Sequence, residues 1–147
     1  MTSRYNYRHL AFTGSKDRIT VPQKVRLQGE LERLRDQGFL WMHNGDCVVS
    51  DATAAQLWRK LGRKIMLHPP LIEKYRAFEA ADIICEPRDY LVRDRHMVEC
   101  SEFLLATPQT FDEQRRSGTW TTIRYARKLR MQILIIQPDG TLNREDY

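Results

Sequence analysis

Two short turns combine hydroxyl side chains with a glycine, and both are suited to binding phosphate. The first, Thr-Gly-Ser-Lys at residues 13–16, follows an apolar run; the second, Ser-Gly-Thr at residues 117–119, follows Arg115 and Arg116 and opens a helical pattern. Amides at a helix start point toward an anion, the helix dipole adds to the attraction, and arginines can clamp a phosphate from the side. Either turn alone is also typical of an ordinary helix cap, so the prediction depends on having two beside cations.

A third loop, His-Asn-Gly-Asp-Cys at residues 43–47, is followed by Asp51 and His68. These residue types are zinc ligands, but their spacing matches no zinc signature, so we expect neither a metal nor a cofactor. Gly45 favours a tight turn, and Asp46 or Asp51 would cap a helix or bind a sugar hydroxyl. A nucleophilic Cys47 would need a neighbouring base and a lowered thiol pKa, and the sequence shows neither.

The basic residues concentrate in one segment. The net charge is +5, and residues 115–130 carry six Lys and Arg residues without any Asp or Glu, so the rest of the chain is close to neutral. Such a segment favours an anionic partner, although a solvated basic helix face has the same pattern. Trp120, beside the second turn, would stack on a base or simply pack.

Apolar runs alternate with helical patterns along the chain. This alternation predicts an α/β fold, a Rossmann-like three-layer sandwich with a mainly parallel sheet of about five strands. In such sheets ligands bind beyond the carboxyl ends of the strands, where the winding reverses. If the first and fourth main strands are neighbours, the two hydroxyl-rich turns face one crevice. The predicted strands are 7–12, 39–43, 64–67, 103–107 and 132–137, with a short extra strand at 82–85, and the predicted helices are 22–36, 52–61, 90–100 and 119–129.

Length and composition restrict the class of protein. The chain has 147 residues, of which 41% are hydrophobic and 29% charged, and this predicts a single domain over residues 1–147 with a core at about 7–140. No apolar run is long enough for a membrane span, and Met1–Arg8 contains no apolar core of a secretory signal. Three scattered cysteines make a disulfide framework improbable, so we expect a cytoplasmic protein.

The order of these motifs resembles the SLOG superfamily, a Rossmann-like group that includes DNA-processing proteins and cytokinin-activating phosphoribohydrolases. The resemblance covers most of residues 9–140. It rests on Phe12–Lys16 with Thr20, on residues 43–51, on Arg93-Asp94-Arg95 before Met97-Val98, on Arg116–Thr119 with Tyr125-Ala126, and on Ile133–Ile136 with Pro138–Gly140.

Two departures from the family pattern bear on function. The phosphoribohydrolase motif Pro-Gly-Gly-x-Gly-Thr-x-x-Glu has its glutamate at the position of Thr122, and threonine cannot perform the proton chemistry of a carboxylate. Asp94 replaces the asparagine of an Arg-Asn-Arg element of the DNA-processing branch. The resemblance therefore implies phosphate binding, whereas hydrolase activity would need a carboxylate from elsewhere, with Asp17, Asp46, Asp51 and Glu99 as candidates.

Three functions follow from these observations. The first is binding of a phosphorylated nucleotide or nucleotide-derived signal, such as a cyclic nucleotide or an ADP-ribose derivative, for sensing or for sequestration of the kind phage proteins use against host defence. The second is cleavage of a nucleotide N-glycosidic bond. The third is single-stranded nucleic-acid binding, with Trp120 and Tyr125 as stacking residues.

The resemblance also implies a homo-oligomer, and no membrane partner is expected. The predicted ligand-binding residues are Thr13, Gly14, Ser15, Lys16, Gly45, Asp46, Asp51, Arg93, Arg95, Arg115, Arg116, Ser117, Gly118, Thr119 and Trp120.

Overall fold

A computed structural model describes residues 7–147, so the expectations for residues 1–6 lie outside the described part of the chain. The strands and helices alternate along most of it. The strands are β1 (Arg8–Gly14), β2 (Phe39–Asn44), β3 (Lys64–Leu67), β4 (Ile83–Ile84), β5 (Phe103–Thr107), β6 (Gln132–Ile136) and β7 (Leu142–Glu145). The α-helices are α1 (Val21–Asp36), α2 (Ser50–Lys60), α3 (Tyr90–Glu99) and α4 (Gly118–Lys128), and a short 3-10 helix spans Glu73–Tyr75.

The seven strands form one sheet in the order β4-β3-β2-β1-β5-β6-β7. All neighbouring strands are parallel except β6 and β7. The chain winds outward from β1 through β4, crosses back by α3 to β5, and then winds the other way. The winding therefore reverses between β1 and β5, which pair from Leu10 with Phe103 to Gly14 with Thr107. The first and fourth main strands are thus neighbours, which is the condition under which the two hydroxyl-rich turns face one crevice.

Helices cover both faces of the sheet and create two apolar cores. Alternate residues of each central strand point to opposite faces, so Leu10 and Phe12 pack with α1 and α2, whereas Ala11 packs with α3 and α4. Trp58 of α2 is fully buried in the first core, and Ile123 of α4 is fully buried in the second. The three-layer, mainly parallel α/β architecture is thus confirmed.

The strand count exceeds the predicted five. The extra strand near residue 83 has only two paired residues, Ile83 and Ile84. No strand is predicted after residue 137, but Leu142–Glu145 pairs antiparallel with β6 after a turn at Gly140, whose φ is +87°. Its sequence, Leu-Asn-Arg-Glu, lacks the apolar alternation that marks a strand, because β7 lies at the sheet edge and is mostly exposed. Within residues 7–147, no helix is long and apolar enough to cross a membrane.

Candidate functional site

A cleft of about 790 Å³ opens beyond the carboxyl ends of the strands, where the winding reverses. Both hydroxyl-rich turns border it, as do the start of α3 and the segment after β3. Of the predicted ligand-binding residues, the structure brings twelve to this cleft: Thr13, Gly14, Ser15, Lys16, Gly45, Asp51, Arg93, Arg115, Arg116, Ser117, Gly118 and Thr119.

The turn at residues 13–16, here called the β1 turn, is fixed by close packing. A Cβ at Gly14 would lie 2.3 Å from Thr107 Oγ1 and 2.5 Å from Ser50 Cβ, so only glycine fits between β5 and the start of α2. The Ser15 hydroxyl donates to Gln109 and accepts from the amides of Asp17 and Arg18. The Ser15 amide donates to the Thr107 carbonyl, and the Ser15 carbonyl accepts from the Ser50 amide. Because Ser15 is fully engaged, Lys16 is the charged group of this turn that is open to a ligand.

The turn at residues 115–119, here called the α4 turn, has backbone amides that are free to bind a ligand. Ser117 caps α4 by accepting from the amide of Trp120. Within residues 7–147, the amides of Gly118 and Thr119 have no hydrogen-bond acceptor. The first turn of α4 contains no acidic residue, so the positive end of the helix dipole has no carboxylate of its own.

The basic residues of segment 115–130 divide into two groups. Arg124 and Arg127 form ion pairs with Glu113, and Arg127 also pairs with Glu145, although neither glutamate belongs to the segment. By contrast, Arg115 and Arg116 are exposed at the cleft and make no ion pair with any described residue. The segment's unneutralised charge therefore includes two arginines at the α4 turn.

The loop from β2 to α2 forms a densely packed floor of the cleft. A Cβ at Gly45 would lie 3.1 Å from an Arg93 guanidinium nitrogen and 3.3 Å from Asp51 Oδ2, so glycine permits both side chains to approach. Arg93 donates to the Gly45 carbonyl at 2.8 Å and to Cys47 Sγ at 3.4 Å. Asp51 accepts from the amide of Cys47 at 3.1 Å, and the loop also includes two residues in the left-handed region, Asp46 at φ 54° and Val49 at φ 70°.

Burial changes the acidity of the groups on this floor. It raises the pKa of Asp51 to about 7, against the opposing hydrogen bond from the Cys47 amide and the charge of Arg93. Burial and the neighbouring Asp51 raise the pKa of the Cys47 thiol to about 11. Cys47 is thus a neutral thiol at physiological pH, which argues against a nucleophilic role.

The sequence did not single out Asp94 as a cleft carboxyl. Its side chain lines the cleft, 3.5 Å from Arg93 Nε, and Asp94 and Thr122 also line the same smaller cavity between α3 and α4. Burial raises the pKa of Asp94 to about 6, opposed by Arg93 and Thr122. The carboxyl therefore lies beside the position where the phosphoribohydrolase motif has its glutamate. The contact arises because α3 packs on α4, which no local pattern could indicate.

Three predicted ligand residues lie outside the cleft lining. Asp46 is buried, its carboxylate accepts from Arg76 at 2.7 Å and from the amide of Glu79, and its carbonyl accepts from the amide of Ala77. It therefore holds the segment after β3 instead of facing the cleft. Arg95 lies on the other side of α3, with its guanidinium 5.3 Å from the Tyr125 ring, beside a second, smaller cavity.

Trp120 is the third such residue. Its indole is 3% exposed, packs in the core beneath α4, and donates to the Thr110 hydroxyl. Because its ring faces are covered, Trp120 cannot stack on a base in this structure, which corrects that expectation and removes one of the two predicted stacking residues for single-stranded nucleic acid. Tyr125 lies against Arg95 and donates to Glu99, which is likewise absent from the cleft lining.

All four histidines of the chain lie in one row beneath α3, a feature that sequence reasoning missed. His9 Nδ1 lies 2.7 Å from His43 Nε2, His43 Nδ1 lies 2.8 Å from His68 Nε2, and the rings of His68 and His96 are 5.0 Å apart. Burial, assisted by the neighbouring imidazoles, lowers the pKa of His43 to about 3 and that of His68 to about 4. Within residues 7–147, no group of three or more His, Cys, Asp or Glu side chains is placed to hold a metal ion.

Comparison with known proteins supports the fold. No family model matches the chain, and no protein with a curated function matches it. A solved structure of a molybdenum cofactor binding protein from Rippkaea orientalis matches with a TM-score of 0.73 and 15% identity, over 90% of this chain and 78% of that one. A molybdenum cofactor carrier protein from Chlamydomonas reinhardtii matches with a TM-score of 0.66 and 16% identity, over 88% and 76% of the two chains. At these identities the likeness establishes the Rossmann-like fold.

Proposed function

We propose that this protein binds a phosphorylated, nucleotide-derived small molecule, to sense or sequester it, with the phosphate held at the α4 turn. The observation that carries the proposal is that the unbonded amides of Gly118 and Thr119 and the unpaired Arg115 and Arg116 converge on one cleft. A helix start without its own carboxylate is a ready site for an anion.

The setting of the α4 turn supports this proposal. The cleft lies at the point of winding reversal, where doubly wound sheets bind ligands, and its volume is in the range of small-molecule pockets. The resemblance to the SLOG superfamily points to nucleotide-derived ligands. Two structural neighbours are named for a molybdenum cofactor, which also supports a small-molecule ligand for this fold.

A retention assay tests the proposal directly. Purified protein is incubated with nucleoside monophosphates, ADP-ribose, its cyclic isomers and cyclic dinucleotides, then filtered, and the flow-through and heat-released fractions are analysed by HPLC. We expect at least one compound to be depleted from the flow-through and to return intact from the denatured protein. Retention of none of them would contradict the proposal.

Two variants locate the phosphate. Arg116→Ala removes an unpaired cation from the α4 turn and is expected to lower affinity roughly 10- to 100-fold, the usual effect of losing a charge-assisted hydrogen bond. Lys128→Ala removes one charge from the opposite end of α4, where the side chain is exposed. Its affinity should stay close to the native value, and equal losses in both variants would indicate a general charge effect instead of a site.

The structure favours N-glycosidic cleavage as a second candidate function, because of Asp94. A cleft carboxyl with a pKa of about 6 can exist in both protonation states near neutrality. In this reaction the water oxygen bonds to the sugar carbon while the carbon–nitrogen bond breaks; an acid protonates the departing base, and the proton released by the water restores that acid. The same HPLC traces would then show free base and sugar phosphate, and Asp94→Asn would abolish their formation while leaving the retained compound bound. Free base formed equally by Asp94→Asn would exclude this role for Asp94.

Self-association stays a prediction from the resemblance. The outermost strand, β4, exposes both Ile83 and Ile84 beside an unpaired sheet edge, and such an edge is a common pairing surface. Light scattering coupled to size exclusion should give a mass that is a multiple of 17.4 kDa. Replacing Ile84 with lysine should reduce that mass if β4 carries the interface.

A further inference from the structure

The cleft has two chemically different sides. The β1 and α4 turns contribute amides, hydroxyls and cations at the β1–β5 side. The side formed by the segment after β3 and the start of α3 instead contributes Leu71, Ile72, Tyr75 and Tyr90, here called the tyrosine wall. The side chains of Leu71 and Ile72 are 61% and 56% exposed, and that of Tyr90 is 58% exposed. Large exposed apolar groups gathered at a concave surface are typical of a binding surface.

From this asymmetry we propose that the tyrosine wall holds the planar ring of the ligand whose phosphate lies at the α4 turn. The inference rests on the proposed function and adds the ligand's second half: a heterocycle joined to the phosphate through a short polar linker, as in a nucleoside monophosphate. Aromatic side chains bind such rings by stacking, because every base has a π-face.

The tyrosine wall is held in place by buried polar contacts. Arg76, next to Tyr75, pairs with the buried Asp46 carboxylate at 2.7 Å. The Tyr75 carbonyl accepts from the amide of Val48, and a backbone bridge joins Cys47 to Arg76. This explains why Asp46, although outside the cleft lining, belongs to its architecture: it anchors the wall to the loop after β2. A surface fixed before binding loses little conformational entropy when a ligand docks.

The second part of the wall is tied to the first. A backbone bridge joins Pro70 to Arg88, and the Arg88 amide donates to the Pro69 carbonyl at 3.2 Å. These bonds connect the start of the Tyr75 segment with the residues that lead into Tyr90. The aromatic residues therefore come from two segments that are hydrogen-bonded to each other.

Lys16 connects the two sides of the cleft. It belongs to the β1 turn, and its ammonium lies 5.0 Å from the centre of the Tyr75 ring. Strand β1, whose turn carries Lys16, lies between β5, which precedes the α4 turn, and β3, which leads into the wall. Lys16 is therefore placed to contact the sugar–phosphate linker of a ligand that reaches from the α4 turn to the tyrosine wall.

Calorimetric titration of paired ligands tests this arrangement. The probes are the four common nucleoside 5′-monophosphates and ribose 5-phosphate, which keeps the phosphate and the sugar but lacks the ring. We expect at least one nucleotide to bind roughly tenfold or more tightly than ribose 5-phosphate, in keeping with the usual gain from base stacking. Tyr75→Ala and Tyr90→Ala should each remove much of that preference while leaving ribose 5-phosphate affinity within about twofold.

Control variants distinguish a role of the two aromatic rings from a general effect of removing a tyrosine. Tyr147→Ala removes an exposed tyrosine outside the cleft lining and should change nothing, whereas Tyr75→Phe should retain the nucleotide preference. If every probe binds with equal affinity, or if the tyrosine variants leave the preference intact, the tyrosine wall is overturned and the phosphate site stands. If no probe binds, the tyrosine wall is overturned as a site for a nucleoside monophosphate ring, and the proposed function is decided separately by the retention assay.

Discussion

The starts of helices α2 and α4 face the same cleft, but only the first turn of α2 contains an acidic side chain. The first turn of α2 contains Asp51, which is buried and accepts from the Cys47 amide. The first turn of α4 contains no acid, and its nearby arginines lack ion-pair partners among the described residues. The start of α2 is already occupied by an acidic side chain and the start of α4 is not, which supports the proposed placement of the phosphate at α4.

The same contrast extends to the neighbouring strands. On the β2–β3 side, polar groups are paired internally: Asp46 with Arg76, and His43 with His9 and His68. On the β1–β5 side, backbone amides and cations remain open to solvent. The polar groups on the β2–β3 side therefore hold the scaffold, including the tyrosine wall, whereas those on the β1–β5 side are available to an anion.

The largest effect is expected when the start of α4 is given an acidic side chain, as the start of α2 has. Ser117→Asp keeps a good N-cap but adds a negative charge where the phosphate is proposed to bind. We expect phosphate-ligand affinity to fall on the order of 100-fold, because like charges a few ångströms apart at a protein surface repel strongly. Ser117→Asn has the same shape without the charge and should bind almost normally. Equal behaviour of the two variants in calorimetry would contradict the assignment.

A second test concerns the packing of the two glycines. Gly14→Ala should lower the free energy of unfolding by about 1–3 kcal/mol, because its methyl group would overlap Thr107 and Ser50. A Cβ at Gly118 would have no heavy atom within 4 Å, so Gly118→Ala should change stability by less than about 0.5 kcal/mol. Urea denaturation of both variants measures the difference, and a similar loss in each would show that the β1 turn is not tightly packed.

The third prediction concerns Asp51, whose pKa in the folded protein is about 7 and therefore above its ordinary value of 3.8. The folded state thus holds this proton more tightly than the unfolded chain, and the stabilisation is lost as the pH rises from about 4 through 7. Asp51→Asn stays neutral and can still accept from the Cys47 amide. Urea denaturation at pH 5 and pH 8 measures the free energy of unfolding of both proteins. The value for the variant should rise relative to that of the native protein between the two pH values, and an unchanged difference would show that Asp51 is not buried as described.

The smallest net pH effect is expected at the histidine row, because the buried acids Asp51 and Asp94 titrate in the opposite sense. The pKa of His43 is about 3 and that of His68 about 4 in the folded protein, below the ordinary 6.5. Their contribution is present above pH 6.5 and is lost as the pH falls toward 4, since the unfolded chain then binds protons that the folded protein does not. Asp51 and Asp94 oppose this trend, so the net slope is modest. His43→Gln should reduce the acid-side slope by up to about 1.4 kcal/mol per pH unit, and an unchanged slope would argue against burial of a neutral His43.

Much of the fold could be predicted from local patterns in the sequence. Helix α1 begins with a Thr20 capping box and Pro22 near its start, and the apolar runs at β1, β5 and β6 were legible because parallel strands buried on both faces are almost continuously hydrophobic. Strand β7 was missed since it is polar and becomes a strand only by pairing with β6. The two hydroxyl-rich turns stood out through residue types whose backbone chemistry is local.

The sequence by itself determined the alternation of strands and helices, the two turns and the concentration of arginines, because each depends on residues close together in the chain. Only the tertiary structure decided which charges are neutralised: Glu113 and Glu145 pair with Arg124 and Arg127, whereas Arg115 and Arg116 have no ion-pair partner within residues 7–147. Tertiary packing also buries Trp120 and brings Asp94 beside Thr122. It makes Asp46 the residue that anchors the tyrosine wall, and it aligns four histidines that come from β1, β2, α3 and the segment after β3. Those outcomes depend on burial and on contacts between distant segments, because these surroundings set the free energy of a charged group or an aromatic ring.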